Sequence, residues 1–234
     1  MMANIVFVHG AFHGGWCWRD VAERLREAGH RVFTPTLTGL GERSHLLSKD
    51  VDMDVHIQDV RNVVEWEELT EAVLVGHSYG GMPITGVADV IPESIAALVY
   101  LDALRPEDGD SVQSVRTAVA GALPLGPAED GLRILPPPAT AFGVQGALAA
   151  WVERRMTPHP WPTFTQTIRL TGAWRRVPKK YYIRLRHYPA PHFDRSLAAA
   201  EADPDWMTIA HEAPHDVMVT DPAWLVSVLQ NQVL

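Results

Sequence analysis

Short, uninterrupted apolar runs alternate along this chain with longer stretches whose apolar positions recur every three or four residues. Ile5 to Val8 is apolar at every position, as a strand buried on both faces must be. Trp16 to Ala28 follows, with Trp18, Val21, Ala22, Leu25 and Ala28 forming one stripe of a helix that Gly29 closes. Arg31 to Thr34 predicts a second strand ending before Pro35, and Met53 to Trp66 a helix carrying Val55, Val60, Val63 and Val64 on one side. Ala72 to Val75 and Ala96 to Leu101 predict two more strands with a helix between them.

From Pro106 to about Val177 this alternation breaks. Gly121 to Pro138 is rich in proline and glycine, and helical stretches follow over Gln145 to Arg155 and Thr163 to Leu170. Tyr181 to Leu185 resumes as a strand, Phe193 to Ala202 as a helix, Met207 to Ala210 as a last strand, and Pro222 to Leu229 as a closing helix. Strands alternating with helices predict an α/β fold on a mostly parallel sheet. The core comprises residues 1–105 and 178–234, and residues 106–177 form an insertion folding over the strand ends. No internal repeat is present.

One strand ends in a chemical signature. Ala72 to Val75 runs directly into Gly76-His-Ser-Tyr-Gly80, a G-x-S-x-G turn between strand and helix. Ser78 is placed at its strained apex, and Gly76 and Gly80, lacking Cβ, let strand and helix approach. A serine there attacks a bound carbonyl if a histidine elsewhere takes its proton.

Composition narrows the partners. The 234 residues are 47% hydrophobic, enough for a large core, and the formal charge is -8. With no net positive field, neither nucleic acid nor an anionic membrane is expected as a partner. The run Arg175, Arg176, Lys179 and Lys180 is read as a solvated loop before a strand. Cys17 is the single cysteine, between Trp16 and Trp18, and is read as a small packed apolar residue in a reducing compartment. No apolar run is long enough to span a bilayer and no secretion signal is evident, so a soluble, cytoplasmic protein is expected. The histidines are not spaced as ligand pairs, so neither a metal nor another cofactor is expected.

With HGAFHGGWCW near the start, GHSYGGM at the elbow, YLDALRPEDG after the next strand and HDVMVTDP near the end, the sequence resembles the α/β-hydrolase superfamily. More narrowly it is similar to the branch of methylesterases, hydroxynitrile lyases and pyrethroid-type carboxylesterases. The resemblance implies the α/β-hydrolase fold, with the insertion as a helical cap. It implies Ser78 as nucleophile and His215 as general base, with His211 and His192 as rivals. Relatives commonly carry the acid just past the penultimate strand, but Arg186 to His192 holds no carboxylate. Other members, haloalkane dehalogenases among them, carry it at the end of the strand after the elbow, where Asp102 stands; Asp194, Asp203 and Asp205 are the alternatives. The oxyanion hole of such enzymes maps to the backbone N–H groups of Ala11 and Tyr79. His9 and His13 are read as loop braces.

The lyases of this branch place a threonine after the first-loop histidine and a lysine after the catalytic histidine. This chain has Gly10 and Asp216 there, which points to hydrolysis. A serine carboxylic-ester hydrolase for small apolar or aromatic esters is therefore expected, with Gly10, Phe12, Trp161 and Phe164 facing the substrate. A lyase or cofactor-free oxygenase, or a weakly catalytic binding protein, are the alternatives. The oligomeric state is not legible.

Overall fold

In the computed structural model, which describes residues 2–119 and 125–234, six parallel strands form one sheet in the order β2-β1-β3-β4-β7-β8. They are β1 (Asn4–Val8), β2 (Arg31–Phe33), β3 (Ala72–His77), β4 (Ile95–Leu101), β7 (Lys179–Leu185) and β8 (Trp206–His211). The short β5 (Arg133–Ile134) and β6 (His159–Pro160) pair separately as an antiparallel ribbon.

The apolar runs earn their position by losing water on both sides. Ile5, Val6, Phe7 and Val8 are all fully buried. Ile5 and Phe7 pack with α1 (Arg19–Glu27) and α9 (Pro222–Val228), while Val6 and Val8 pack with α2 (Met53–Trp66), α3 (Gly81–Val90) and α7 (Pro191–Glu201). Alternate strand residues thus feed two apolar layers, which is why these strands carry no polar face.

The segment between β4 and β7 contains α4 (Val112–Thr117), the ribbon, α5 (Gly146–Glu153) and the one-turn α6 (Pro162–Thr165). Phe142, Val152, Phe164 and Trp174 join the same apolar cluster as Val6 and Tyr100, so this segment shares the core of one sheet face. The Pro/Gly-rich stretch begins at Gly121, and its positions 121–124 lie outside the described residues.

Four sequence expectations shift. The helix expected from Trp16 starts as a 3-10 turn, Gly15–Trp18, and becomes α1 only at Arg19. The helix expected over Thr163 to Leu170 stops at Thr165, because the following backbone is claimed by tertiary acceptors: Ile168 N–H donates to Asp110 O (2.7 Å) and Leu170 N–H to Asp108 Oδ1 (2.8 Å). His192, expected in a loop, lies in the first turn of α7, whose first residue Pro191 has the φ a helix start needs. Lys180, expected on a solvated loop, is buried, and its Nζ donates to the carbonyls of Arg175 (3.1 Å) and Val177 (2.9 Å).

Candidate active site

The site follows from sheet order and register. The chain leaves β1 to one side for β2 and returns to the other side for β3, so a crevice opens where the ends of β1 and β3 diverge. Val8 pairs with Gly76, which brings the Gly10 loop against the turn after β3. His77 pairs with Leu101, which sets Asp102 one step past β4 beside Ser78; Leu101 in turn pairs with Ile183.

Ser78 holds a left-handed φ of 53°, and the glycines around it are required by contact. A Cβ on Gly80 would lie 2.5 Å from Val8 O, and one on Gly76 2.6 Å from Gly80 O. A Cβ on Gly10 would lie 2.9 Å from His77 Nδ1 and 3.1 Å from the Ser78 Cβ, so the first loop presses directly on the serine. Ser78 keeps partial exposure.

His215, on the loop after β8, is brought together with Asp102. Its Nδ1–H donates to Asp102 Oδ2 at 2.6 Å, and both side chains are buried. The other carboxylate oxygen of Asp102, Oδ1, accepts from Arg184 Nη1 (2.7 Å) and from Leu185 N–H (3.2 Å). Asp102 is therefore no turn cap; it holds a φ of 44°, a conformation aspartate tolerates better than most residues. The rival Asp194 points outward, 62% exposed, and binds Arg184 Nε instead (2.8 Å). Asp203 accepts from Asp205 N–H at an exposed turn. Of the rival bases, His211 stacks on Trp224 (3.9 Å), and burial, Arg116 and His215 push the His192 pKa down to about 4.

Among the described residues neither Ser78 Oγ nor His215 Nε2 makes a hydrogen bond, so both are free for each other or for a ligand. His77 joins them: its Nε2–H donates to the His215 carbonyl (3.0 Å), and the two rings lie 4.4 Å apart. Tyr188 stacks on the His215 ring at 4.2 Å and Phe193 at 5.5 Å, and Phe142 of the insertion lies 5.9 Å from it.

The N–H groups of Ala11 and Tyr79 have no acceptor among the described residues. Histidines brace the first loop around Ala11 and the Tyr79 side chain. His9 Nδ1–H donates to Gly10 O (2.8 Å) while its Nε2 accepts Leu37 N–H (3.1 Å). Burial pushes its pKa down to about 3, so it is neutral and its tautomer is set. His56 Nε2–H donates to Thr38 O (2.8 Å) and its Nδ1 accepts the Tyr79 hydroxyl (2.7 Å), with burial lowering its pKa to about 4. His13 Nδ1–H donates to Ala11 O (2.8 Å), and its Nε2 meets Asp216 Oδ2 (3.0 Å).

Of the four residues expected to face substrate, Gly10 abuts Ser78, while Phe12 and Phe164 are packed into the core cluster. Phe12 lies against His159 (5.9 Å), and Phe164 stacks on the Tyr79 ring (5.8 Å, 9°). Trp161 is half-buried before α6 and makes no ring contact with these residues among those described. Sequence reasoning missed Arg184, His77 and Tyr188, and read Asp216 only as a departure from the lyases; nothing local marks these contacts, since each acts through a strand pairing or a loop contact. Among the described residues no group of three or more His, Cys, Asp and Glu side chains is placed to hold a metal ion, and no helix is long and apolar enough to cross a membrane.

The model of the alpha/beta hydrolase family matches residues 5–228. A carbendazim hydrolyzing esterase from a Nocardioides species is 41% identical over 238 residues, 97% of this chain and 98% of that protein. A pyrethroid hydrolase of Sphingobium wenxiniae is 34% identical over 110 residues, 46% of this chain and 38% of that one. Among solved structures, an extracellular alpha/beta-hydrolase from a Paenibacillus species superposes with a TM-score of 0.81 at 22% identity, covering 97% of each chain. Tomato methylketone synthase I complexed with 2-tridecanone superposes with a TM-score of 0.80, also at 22% identity, covering 98% of this chain and 97% of that one. These likenesses show a shared fold, and with the match over residues 5–228 they establish that the chain belongs to the alpha/beta hydrolase family.

Proposed function

We propose that the chain is a serine carboxylic-ester hydrolase that works through an acyl-serine intermediate. It is a carboxylesterase-type enzyme, and the observation that carries the mechanism is the 2.6 Å hydrogen bond from His215 to Asp102, in a buried site beside an elbow serine. Ser78 Oγ attacks the ester carbonyl as His215 Nε2 takes its proton, and the oxyanion receives the N–H groups of Ala11 and Tyr79. His215 returns the proton to the departing alcohol. Water, deprotonated by the same nitrogen, then attacks the acyl carbonyl and releases the acid and Ser78. Asp102 holds the Nδ1–H tautomer throughout and stabilises the imidazolium.

The substrates are small apolar or aromatic esters. Gly10 lets the first loop pack directly against Ser78, and Phe142, Tyr188 and Phe193 gather aromatic surface around His215. Residues 106–177 serve as the cap. Carbendazim, which the Nocardioides relative hydrolyses, is a methyl ester of a carbamic acid and the first compound to try beside simple methyl and aryl esters. Asp216, at the position of the lyase lysine, is turned to His13 and buried, which disfavours cyanide chemistry. The test is a fluorophosphonate probe with an ester panel. Labelling and turnover by wild type, absent in Ser78→Ala, are expected; an unlabelled wild type that turns over no ester defeats the proposal.

A further inference from the structure

Asp216 occupies the N-cap position of α8 (Val217–Thr220), yet its side chain makes no cap hydrogen bond. It turns inward to His13, and both are buried, at 0% and 1% exposure. The proton inventory of this pair is constrained. A backbone carbonyl can only accept, so His13 Nδ1 carries a proton for Ala11 O. The other nitrogen faces a carboxylate at 3.0 Å, and a second proton must lie between them. The second oxygen, Asp216 Oδ1, is buried and has no partner among the described residues, so among them His13 alone compensates this carboxylate.

The surrounding groups leave the positive charge to His13. Its neighbours are the rings of Trp16 (stacked, 5.2 Å), Phe142 (5.5 Å) and His77 (6.5 Å), with His9 and Cys17 close by and His215 next to Asp216 in the chain. Burial holds His9 and His77 neutral and keeps the Cys17 thiol protonated. Burial works against charge on His13 too, but the Asp216 charge and the hydrogen bonds to Asp216 and Ala11 outweigh it and raise its pKa.

We propose that His13 and Asp216 form a buried imidazolium–carboxylate clamp that fixes the Ala11 peptide on one loop against the loop that carries His215. They are positioning residues for the ester hydrolysis, and this role rests on the function proposed above. The carbonyls on both sides of Ala11 are held, Gly10 O by His9 and Ala11 O by His13. In a trans peptide N–H and C=O point oppositely, so the Ala11 N–H is aimed away from His9. Asp216 then anchors His13 one residue from the base, locking the oxyanion donor and the proton acceptor in one frame. The clamp needs its extra proton. It is closed below the raised His13 titration and opens as pH rises through it, when an uncompensated carboxylate remains beside a lone pair.

Histidine-selective 15N NMR and pH-dependent kinetics test this. In wild type near neutral pH both His13 ring nitrogens are expected to carry protons, with the assignment made from His13→Gln. In Asp216→Asn only one nitrogen should, since an amide N–H can serve the bare nitrogen. Asp216→Leu should lower kcat by about 100- to 1,000-fold, the range for losing one oxyanion donor, with KM changed little. Asp216→Asn should recover part of that kcat and lose the alkaline fall in kcat/KM that is expected of wild type. A neutral His13 in wild type, an unchanged kcat in Asp216→Leu, or the same alkaline limb in Asp216→Asn overturns the clamp. The NMR readout is independent of catalysis and reports on wild type even if a variant does not fold. Fluorophosphonate labelling of Ser78 separately decides whether the esterase reading holds.

Discussion

Replacing Asp102 by asparagine should nearly abolish turnover, and the structure dictates why the amide cannot adapt. Oδ1 of Asp102 receives two obligate donors, Arg184 Nη1 at 2.7 Å and Leu185 N–H at 3.2 Å. An asparagine must turn its oxygen to them, which leaves its NH2 facing His215 Nδ1. The imidazole then offers a lone pair at Nδ1 and carries its hydrogen on Nε2, where it cannot take a proton from Ser78. Flipping the amide would restore the tautomer but set NH2 against both donors in a fully buried position, about 1–3 kcal/mol for each unsatisfied group. Wrong-tautomer substitutions of this kind cost about 10⁴ in kcat, or about 5.4 kcal/mol at about 1.36 kcal/mol per decade. Steady-state kinetics on an aryl ester should show kcat down by about 10³ to 10⁴ with KM little changed. Circular dichroism should show the fold retained. Turnover within tenfold of wild type in a folded Asp102→Asn protein would refute the assignment of the acid.

Other perturbations probe the frame around this pair. Arg184→Met removes one partner of a buried pair, a loss of about 3–5 kcal/mol. Left unshared, the Asp102 charge should also hold the imidazolium more tightly and move the acid limb of kcat/KM to higher pH; an unmoved limb would exclude Arg184 from tuning the base. Gly10→Ala would push its Cβ within 2.9 Å of His77 and 3.1 Å of Ser78 Cβ, and a loss of about 10² in kcat is expected from displacing the nucleophile. His211→Asn and His192→Asn should keep activity within about tenfold while His215→Asn loses at least about 10³-fold, the scale of removing a triad member. Stability should fall steeply in acid. His9, His56, His77 and His159 are buried with pKa values lowered below 6.5, so below that pH the unfolded chain binds protons the folded one refuses. At pH 5 His9 and His56, pushed down to about 3 and about 4, each cost about 2 kcal/mol, and His77 and His159 act in the same direction, against a total stability of about 5–15 kcal/mol. A melting temperature unchanged between pH 7 and pH 5 would contradict this.

What the chain discloses on its own depends on how far each residue's reason lies from it in sequence. The strands were legible because burial on both faces writes itself into consecutive positions, as in Ile5 to Val8. The elbow was legible because its strain and close contacts demand glycines two residues either side of Ser78. Asp102 was harder. Its role depends on a register, His77 against Leu101 and Leu101 against Ile183, that no local pattern records. The extension of a helix to Leu170 failed for the same reason, since Asp108 and Asp110 intercept its backbone donors from 58 to 62 residues away, as their numbers give (168 − 110 and 170 − 108).

The histidines show how a single residue type can serve one site in opposite protonation states. His9, His56 and His77 are each held neutral by burial and each donates to a carbonyl, of Gly10, Thr38 and His215. A neutral imidazole suits that task because its second nitrogen can be left bare or used as an acceptor, so no charge needs compensation in the interior. His13 also donates to a carbonyl, but a carboxylate waits at its second nitrogen and reverses the outcome. Five backbone or side-chain tethers thereby surround a serine and a base whose own reactive atoms are left unpaired. Rigidity is placed in the frame, while among the described residues Ser78 Oγ, His215 Nε2 and the two N–H donors are left without partners where a reacting ester would supply them.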